Sequence, residues 1–458
     1  MTDSILVVGS GIAGLTAAME CAQAGARTIV VDNAAIVGGR LAAAMTDESS
    51  IGAGVAGSAI PKLSTLAESE HIEFMTMATL ERIQGRPGNF DISVRQRARF
   101  VTDACTRCKR CRPVCPSVSS NEYDAGLTYR KAIFTPLPQT LPQEYVIDID
   151  SCLNKPPNYL PCNRCIEVCD DDAIHFDLPL DQLHERQVGA VILSVGFAIA
   201  DTDRLNEYGY GVHPDIVTAV ELQYLLTEPG PTGGYVAKPS NEEYPESILL
   251  IVDELTPFSA YTAISQIHQL VEQDIDKIAL LITDQQDEKT QSDFVQALPA
   301  GVTVNQGLLQ SVVAGPDNKI TVSYADFASH HMPKNDYDMV VLSCEICPAK
   351  GLDELAKTVE LKLDEAGFVA TPISDQPCAT SRAGIYAVGG ACGSAILSDT
   401  VASAKAAATL ALGHLDPRLL KPGFVPISQV AKAPDTDTPS EDELRARIER
   451  ALYTLMDR

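Results

Sequence analysis

Apolar residues follow two rhythms along this chain. Residues 4–8 form a continuous apolar run of buried-strand length, and residues 15–24 then carry apolar side chains at helical spacing. Residues 28–31 make a second short run that ends on Asp32. The alternation returns further on: residues 247–252 and 277–282 predict strands, and Ile264, Ile267, Leu270 and Val271 mark one face of a helix between them. Such alternation predicts an α/β fold with parallel sheets. Towards the end, residues 401–412 read as a helix and 417–439, rich in proline, aspartate and threonine, as a linker. A last helix over 440–457 places Leu444, Ile448, Leu452 and Leu455 on one face, suited to docking on the body of the protein or on a partner.

The first strand and helix are joined by Gly9-Ser10-Gly11-Ile12-Ala13-Gly14. Gly9 permits a tight turn, Gly11 lets the backbone approach a pyrophosphate, and Gly14 allows close helix packing; Asp32 falls where an acidic side chain would bond a ribose hydroxyl. The pattern predicts a dinucleotide site at a helix N-terminus, where the dipole favours phosphate. Gly38-Gly39-Arg40 and the return segment 384–390, ending on Gly389 and Gly390, resemble elements of the two-dinucleotide-domain flavoproteins and favour FAD. In that superfamily the return segment usually ends in Gly-Asp, with the aspartate on the flavin ribityl chain; here Gly390 stands in its place. Residues 189–196 resemble the superfamily's crossover strand. The matching turn of the middle segment reads Asp253-Glu254-Leu255-Thr256-Pro257-Phe258-Ser259, without glycine and with two carboxylates, so no nicotinamide nucleotide is expected there.

Composition narrows the class. The 458 residues are 45% apolar and 21% charged, and no apolar run approaches the roughly 18 residues of a membrane helix. Met1-Thr2-Asp3-Ser4 leads straight into the first strand without a secretory pattern, so the cytoplasm is the expected location. A formal charge of −26 argues against nucleic acid as a partner.

Of 13 cysteines, eight fall in two compact groups. Cys105, Cys108, Cys111 and Cys115, followed by Pro116, have the Cys-x2-Cys-x2-Cys-x3-Cys-Pro spacing that holds 4Fe-4S clusters in bacterial-type ferredoxins. Cys152, Cys162, Cys165 and Cys169 repeat the last two spacings. Because the fourth cysteine of each run ligates the other cluster in two-cluster ferredoxins, the expected sets are Cys105, Cys108, Cys111 and Cys169, and Cys152, Cys162, Cys165 and Cys115. Zinc in the thiolate quartets is the alternative. Arg107, Lys109, Arg110 and Arg112 surround the first run, whereas Asp170, Asp171 and Asp172 follow the second; this predicts that electrons rest preferentially on the first cluster. Cys344 and Cys347 form a further Cys-x2-Cys pair, read as structural. Cys21, Cys378 and Cys392 are isolated, the histidines have no metal-ligand spacing, and no catalytic grouping of serine, histidine and acid is present.

These residues together make the chain resemble the FAD-bearing A-type subunits of heterodisulfide reductases over about residues 1–415. The resemblance includes Gly38-Gly39-Arg40, Ala98-Arg99-Phe100-Val101, Asn121-Glu122-Tyr123-Asp124, Arg130-Lys131-Ala132-Ile133, Pro136-Leu137-Pro138-Gln139, Glu207-Tyr208-Gly209-Tyr210-Gly211 and Gly230-Pro231-Thr232-Gly233-Gly234. It implies a thioredoxin-reductase-like two-dinucleotide-domain fold with an inserted two-cluster ferredoxin module. The expected division is an FAD domain over 1–98, 179–240 and 346–415, the insert over 99–178, a Rossmann-like middle domain over 241–345, and the linker and helix over 416–458. It also implies FAD and two 4Fe-4S clusters in an oxidoreductase subunit, with B-type and C-type subunits or ferredoxin-like donors as partners and room for a homodimer within the complex. Some relatives bifurcate electrons. The larger relatives carry further domains, and residues 51–62 lack the cysteines expected there, so plain electron transfer is the primary expectation. An NAD(P)H-dependent disulfide reductase and an electron-wire scaffold without flavin turnover are the alternatives.

Overall fold

The computed structural model describes residues 2–41, 63–137, 140–155, 161–199, 203–228, 230–284, 292, 294–343, 346–372, 376 and 378–415. The expected linker and final helix, residues 51–62 and Cys344 lie outside them.

Two sheets organise the chain. The first is five-stranded and parallel: Ile385–Ala387, Ala190–Leu193, β1 (Ser4–Val8), β2 (Arg27–Val31) and β3 (Ile72–Met75), in that order. Its strands read as unbroken apolar runs because both faces are covered. On one face, helix α1 (Ile12–Gln23) packs against helix Leu397–Leu412 through Ala17, Ala18, Ala404, Ala407 and Ala408, small side chains that let two helices and a sheet approach closely. On the other lies a three-stranded antiparallel sheet of β4 (Ala78–Arg86), β5 (Asn89–Arg97) and the strand Asp181–Val188.

The second sheet has seven strands in the order Ile216–Thr218, Met339–Leu342, Ser247–Val252, Lys277–Ile282, Thr303–Ala314, Ile320–Asp326 and Lys334–Tyr337. Its first strand comes from the stretch 179–240 that the sequence suggested for the first domain. A three-residue strand is too short to be distinguished by its apolar pattern. Between the sheets, Phe197–Ile199 and Ile346–Pro348 pair antiparallel, so the chain crosses and returns along one ribbon.

The cysteine-bearing segment leaves between β5 and Asp181–Val188, where Arg97 and Asp181 stand opposite each other, and a bridge between Val101 and Ile174 extends the pairing. It has its own small core of Phe100, Val101, Ile133, Tyr145, Ile147 and Ile174. Phe100 stacks on Phe176 at 5.8 Å. Among the described residues no helix is long and apolar enough to cross a membrane.

Candidate flavin and metal-cluster sites

Four segments meet at the N-terminus of α1. Gly11 caps the helix in extended conformation without a side-chain cap, so the first helical amides keep no partner from a capping side chain. A Cβ on Gly11 would meet nothing within 4 Å, whereas one on Gly14 would stand 1.9 Å from the Gly9 carbonyl oxygen and one on Gly9 2.3 Å from that of Ser194. The loop is thus closed against its own sheet on one side and open on the other, as a backbone cradle for phosphate requires. Gly39, at φ +57°, comes close to Gly11, where a Cβ would lie 3.0 Å from its Cα; Gly389, at φ +61°, comes close to Ala13. The residues therefore fit a dinucleotide with its phosphates at this helix end.

Asp32 is engaged by the loop itself. Its Oδ2 accepts from the Ser10 amide and hydroxyl, both at 2.6 Å, and its Oδ1 from the Ala34 amide at 2.8 Å. The carboxylate ties the glycine loop to the end of β2 and retains lone pairs for a ribose hydroxyl. At Gly390 a Cβ would stand 2.6 Å from Cδ1 of Phe197, so an aromatic ring fills the space that the superfamily's aspartate needs. Arg40 lies over that ring at 4.8 Å and donates to the Phe197 carbonyl at 3.3 Å.

The corresponding turn in the second sheet is shut. Thr256 caps the helix Pro257–Glu272 by accepting from the Ser259 amide at 3.2 Å, and Ser259 Oγ accepts from the Thr256 amide at 2.9 Å. Asp253 accepts from the Thr283 hydroxyl and Asp284 from the Leu255 amide. Phe258, next on the helix, meets the Phe197 ring edge-on at 5.0 Å and donates its amide to Ser394 at 3.4 Å. A helix end capped by its own side chains, beside two carboxylates, offers little to a pyrophosphate.

The eight cysteines line two separate cavities. Cys105, Cys108, Cys111 and Cys169 surround one, with about 340 Å³ of empty space open to solvent. Cys115, Cys152, Cys162 and Cys165 surround the other, with about 330 Å³. Ile133 lines both. Arg107 and Lys109 take left-handed backbone conformations, φ 56° and 66°, which curl the chain so that the cysteines on either side of them turn inward. Among the described residues no three His, Cys, Asp or Glu side chains approach closely enough to hold one metal ion.

Burial makes three of the thiols harder to ionise, Cys152 among them. Burial, reinforced by Cys105, pushes Cys111 up to about 11; burial, reinforced by Cys152 and Cys115, pushes Cys165 up to about 12. Cys108 alone is held below its usual value, by hydrogen bonds from the Arg110 backbone and side chain. Thiols so buried ionise more readily beside bound cationic charge, as cysteine ligands of a metal centre do.

The expected charge contrast between the two runs is not present. Because Cys169 joins the first quartet, it carries its acidic neighbours there: Asp170 pairs with Arg110 at 2.5 Å, Thr106 donates to Asp171 at 2.5 Å, and Asp171 lines the same cavity as Arg107 and Lys109. Basic and acidic groups offset one another at one site, so surface charge gives no reason for electrons to prefer the first cavity.

Contacts with no local signal in the sequence join this segment to both sheets. The Tyr123 hydroxyl accepts from the Ala35 amide at 3.3 Å, and Leu127 packs on the core of the second sheet. Arg99 donates to the Ala35 carbonyl at 2.6 Å, to Thr76 at 3.2 Å and to the Glu144 carbonyl at 3.0 Å. Cys347 lies in the ribbon between the sheets, opposite Ala198. Cys392 ends the turn Gly389–Cys392, its thiol pushed up to about 12 by burial, and Cys21 is buried against the helix pair. His330 and His331 are exposed.

Residues 4–48 match the family model described as an FAD binding domain. The A-type subunit of the H(2):CoB-CoM heterodisulfide,ferredoxin reductase of Methanothermobacter marburgensis is 29% identical over 434 residues, covering 89% of this chain and 63% of that protein. A second relative, one of two iron-sulfur A-type subunits of the CoB--CoM heterodisulfide reductase of Methanopyrus kandleri, is 31% identical over 446 residues, covering 91% and 65%. This chain spans less than two thirds of the length of either relative. Among solved structures, T. acidophilum thioredoxin reductase is 16% identical and superposes with a TM-score of 0.45, covering 90% of this chain and 99% of that one.

Proposed function

This chain is a homologue of the heterodisulfide reductase A-type subunits, and from that premise we propose that it is the flavin and iron–sulfur electron-transfer subunit of a heterodisulfide-reductase-like complex. The observation that supports this most directly is the pair of cysteine quartets, each with its fourth member exchanged, on a segment docked beside a glycine cradle of FAD-binding sequence. When bound, FAD exchanges electrons in pairs or singly and 4Fe-4S clusters exchange them singly.

The chain's own residues supply the binding and the order. Gly11 and the open helix end receive the phosphates, Asp32 holds the loop in shape, and Arg40, fixed by Phe197, stands at the edge of the cradle. Cys105, Cys108, Cys111 and Cys169 hold one cluster, and Cys115, Cys152, Cys162 and Cys165 the other. Phe100, Ile133, Tyr145 and Ile147 exclude water between the cavities. The self-capped turn at Thr256 and Ser259 supports electron exchange with protein partners in preference to a nicotinamide nucleotide. B-type and C-type subunits or a ferredoxin-like carrier are those partners, and the disulfide chemistry lies outside this chain.

Anaerobic absorption spectroscopy with iron and flavin quantification tests the reading. About eight irons and one FAD per chain, with a flavin that NADH and NADPH do not bleach, is the expected result. Zinc in place of iron, or prompt bleaching, would overturn it.

A further inference from the structure

Arg99 is a half-buried cation at the joint between the two candidate sites, with no carboxylate at ion-pair distance and that of Glu144 attracting it from further off. Its guanidinium reaches three neutral acceptors: the Ala35 carbonyl and Thr76 hydroxyl on the flavin side, and the Glu144 carbonyl on the cysteine side. Its Nε is buried with no hydrogen-bond partner. Among the described residues no carboxylate stands within ion-pair distance of it, although the chain carries 61 acidic residues against 35 basic ones. A half-buried guanidinium bonded only to neutral acceptors is stabilised by any further anion nearby.

The surroundings indicate which anion. On the cysteine side the acceptor belongs to Glu144, one peptide from the buried Tyr145, and Val101 follows Arg99 by two residues; both Tyr145 and Val101 line the cavity of Cys105, Cys108, Cys111 and Cys169. A cluster held by four thiolates is negatively charged and becomes more so on reduction. Arg99 is not itself in the lining of that cavity and is joined to its wall through the Glu144–Tyr145 peptide; a fixed positive charge behind the wall stabilises the reduced form more than the oxidised one. At that cavity Arg110 is paired with Asp170, and Arg107 and Lys109 share the lining with Asp171; Arg99 adds a cation held from behind by neutral acceptors.

We infer that Arg99 is a positioning residue that raises the reduction potential of the cluster at Cys105, Cys108, Cys111 and Cys169, making it the resting place for single electrons next to the flavin side. The inference rests on the reading of the cavities as cluster sites. Iron content separates the two: wild-type chain that holds no iron removes that reading, whereas loaded chain with unmoved potentials removes this inference alone.

The test is a redox titration followed by electron paramagnetic resonance on the wild type, Arg99→Met and Arg99→Lys. In Arg99→Met one cluster's potential falls by about 59 mV or more, a tenfold change in its reduced-to-oxidised ratio, while the other stays in place. Arg99→Lys restores most of the difference. Unchanged potentials, equal falls in both variants, or a loss of FAD affinity with cluster potentials unmoved would each overturn the assignment. If Arg99→Met fails to load clusters, Arg99→Gln decides. It keeps a hydrogen-bond donor for the same acceptors and removes only the charge, so a fall in the same potential supports the role and no change overturns it.

Discussion

Cys111 and Cys115 are separated by a single helical turn, Cys111–Val114, and face different cavities. Each quartet is therefore closed by a residue from the far end of the other run, and neither site is complete until both runs have folded together.

Exchange of the fourth cysteine makes an unusual double-variant prediction. Cys105→Ser with Cys169→Ser disturbs a single cavity and leaves about four irons per chain, whereas Cys105→Ser with Cys115→Ser disturbs both and leaves fewer. Iron quantification and low-temperature resonance spectra distinguish this from two self-contained sites, for which the ranking reverses.

The glycines of the cradle separate folding from binding. A methyl at Gly14 would collide with the Gly9 carbonyl, so Gly14→Ala destabilises the flavin-free chain by roughly 1–3 kcal/mol. At Gly11 a methyl enters open space, so Gly11→Ala leaves that stability within about 0.5 kcal/mol and acts on FAD affinity instead. Denaturant unfolding and calorimetric titration with FAD check the two halves.

The second sheet's turn is expected to serve stability alone. Thr256→Ala removes a helix cap and costs about 1 kcal/mol, read as a lower unfolding midpoint, with the flavin content of purified protein unchanged. Loss of flavin in this variant would show that the turn reaches the cofactor site.

One half-buried histidine ties stability to pH. His414 is hydrogen-bonded to the Tyr386 hydroxyl at 2.8 Å, and burial lowers its pKa below the usual 6.5. The unfolded chain then binds a proton more readily than the folded one, so stability is full above pH 6.5 and falls as the pH drops from there towards the folded pKa. His414→Gln flattens this part of the profile, measured by thermal unfolding between about pH 5 and 7.

The central strands were legible because both faces of each sheet are covered, which gives unbroken runs such as residues 4–8 and 247–252. Cysteine spacing carried the two quartets, since the ligand run is local. Long-range features left little trace. Arg99 and Tyr123 reach Ala35 across 64 and 88 residues, and nothing near either residue signals a partner so distant. Surface charge misled for the same reason: Asp170 and Asp171 follow the second run in sequence but attend the first in space. Phe197 against Gly390 was equally hidden, because a missing side chain does not name the group that replaces it.

Arg97 and Asp181 face each other across one pair of antiparallel strands, so the whole cysteine segment leaves and rejoins the flavin fold through a single doorway. Joined directly, those two residues would make an ordinary hairpin. Yet the segment also covers the chain leading into Gly38-Gly39: Ala35 is held by Arg99 and Tyr123, Ile36 packs on Leu137 and the Val37 amide donates to the Leu141 carbonyl at 2.9 Å, so excising it at that doorway would bare one edge of the cradle.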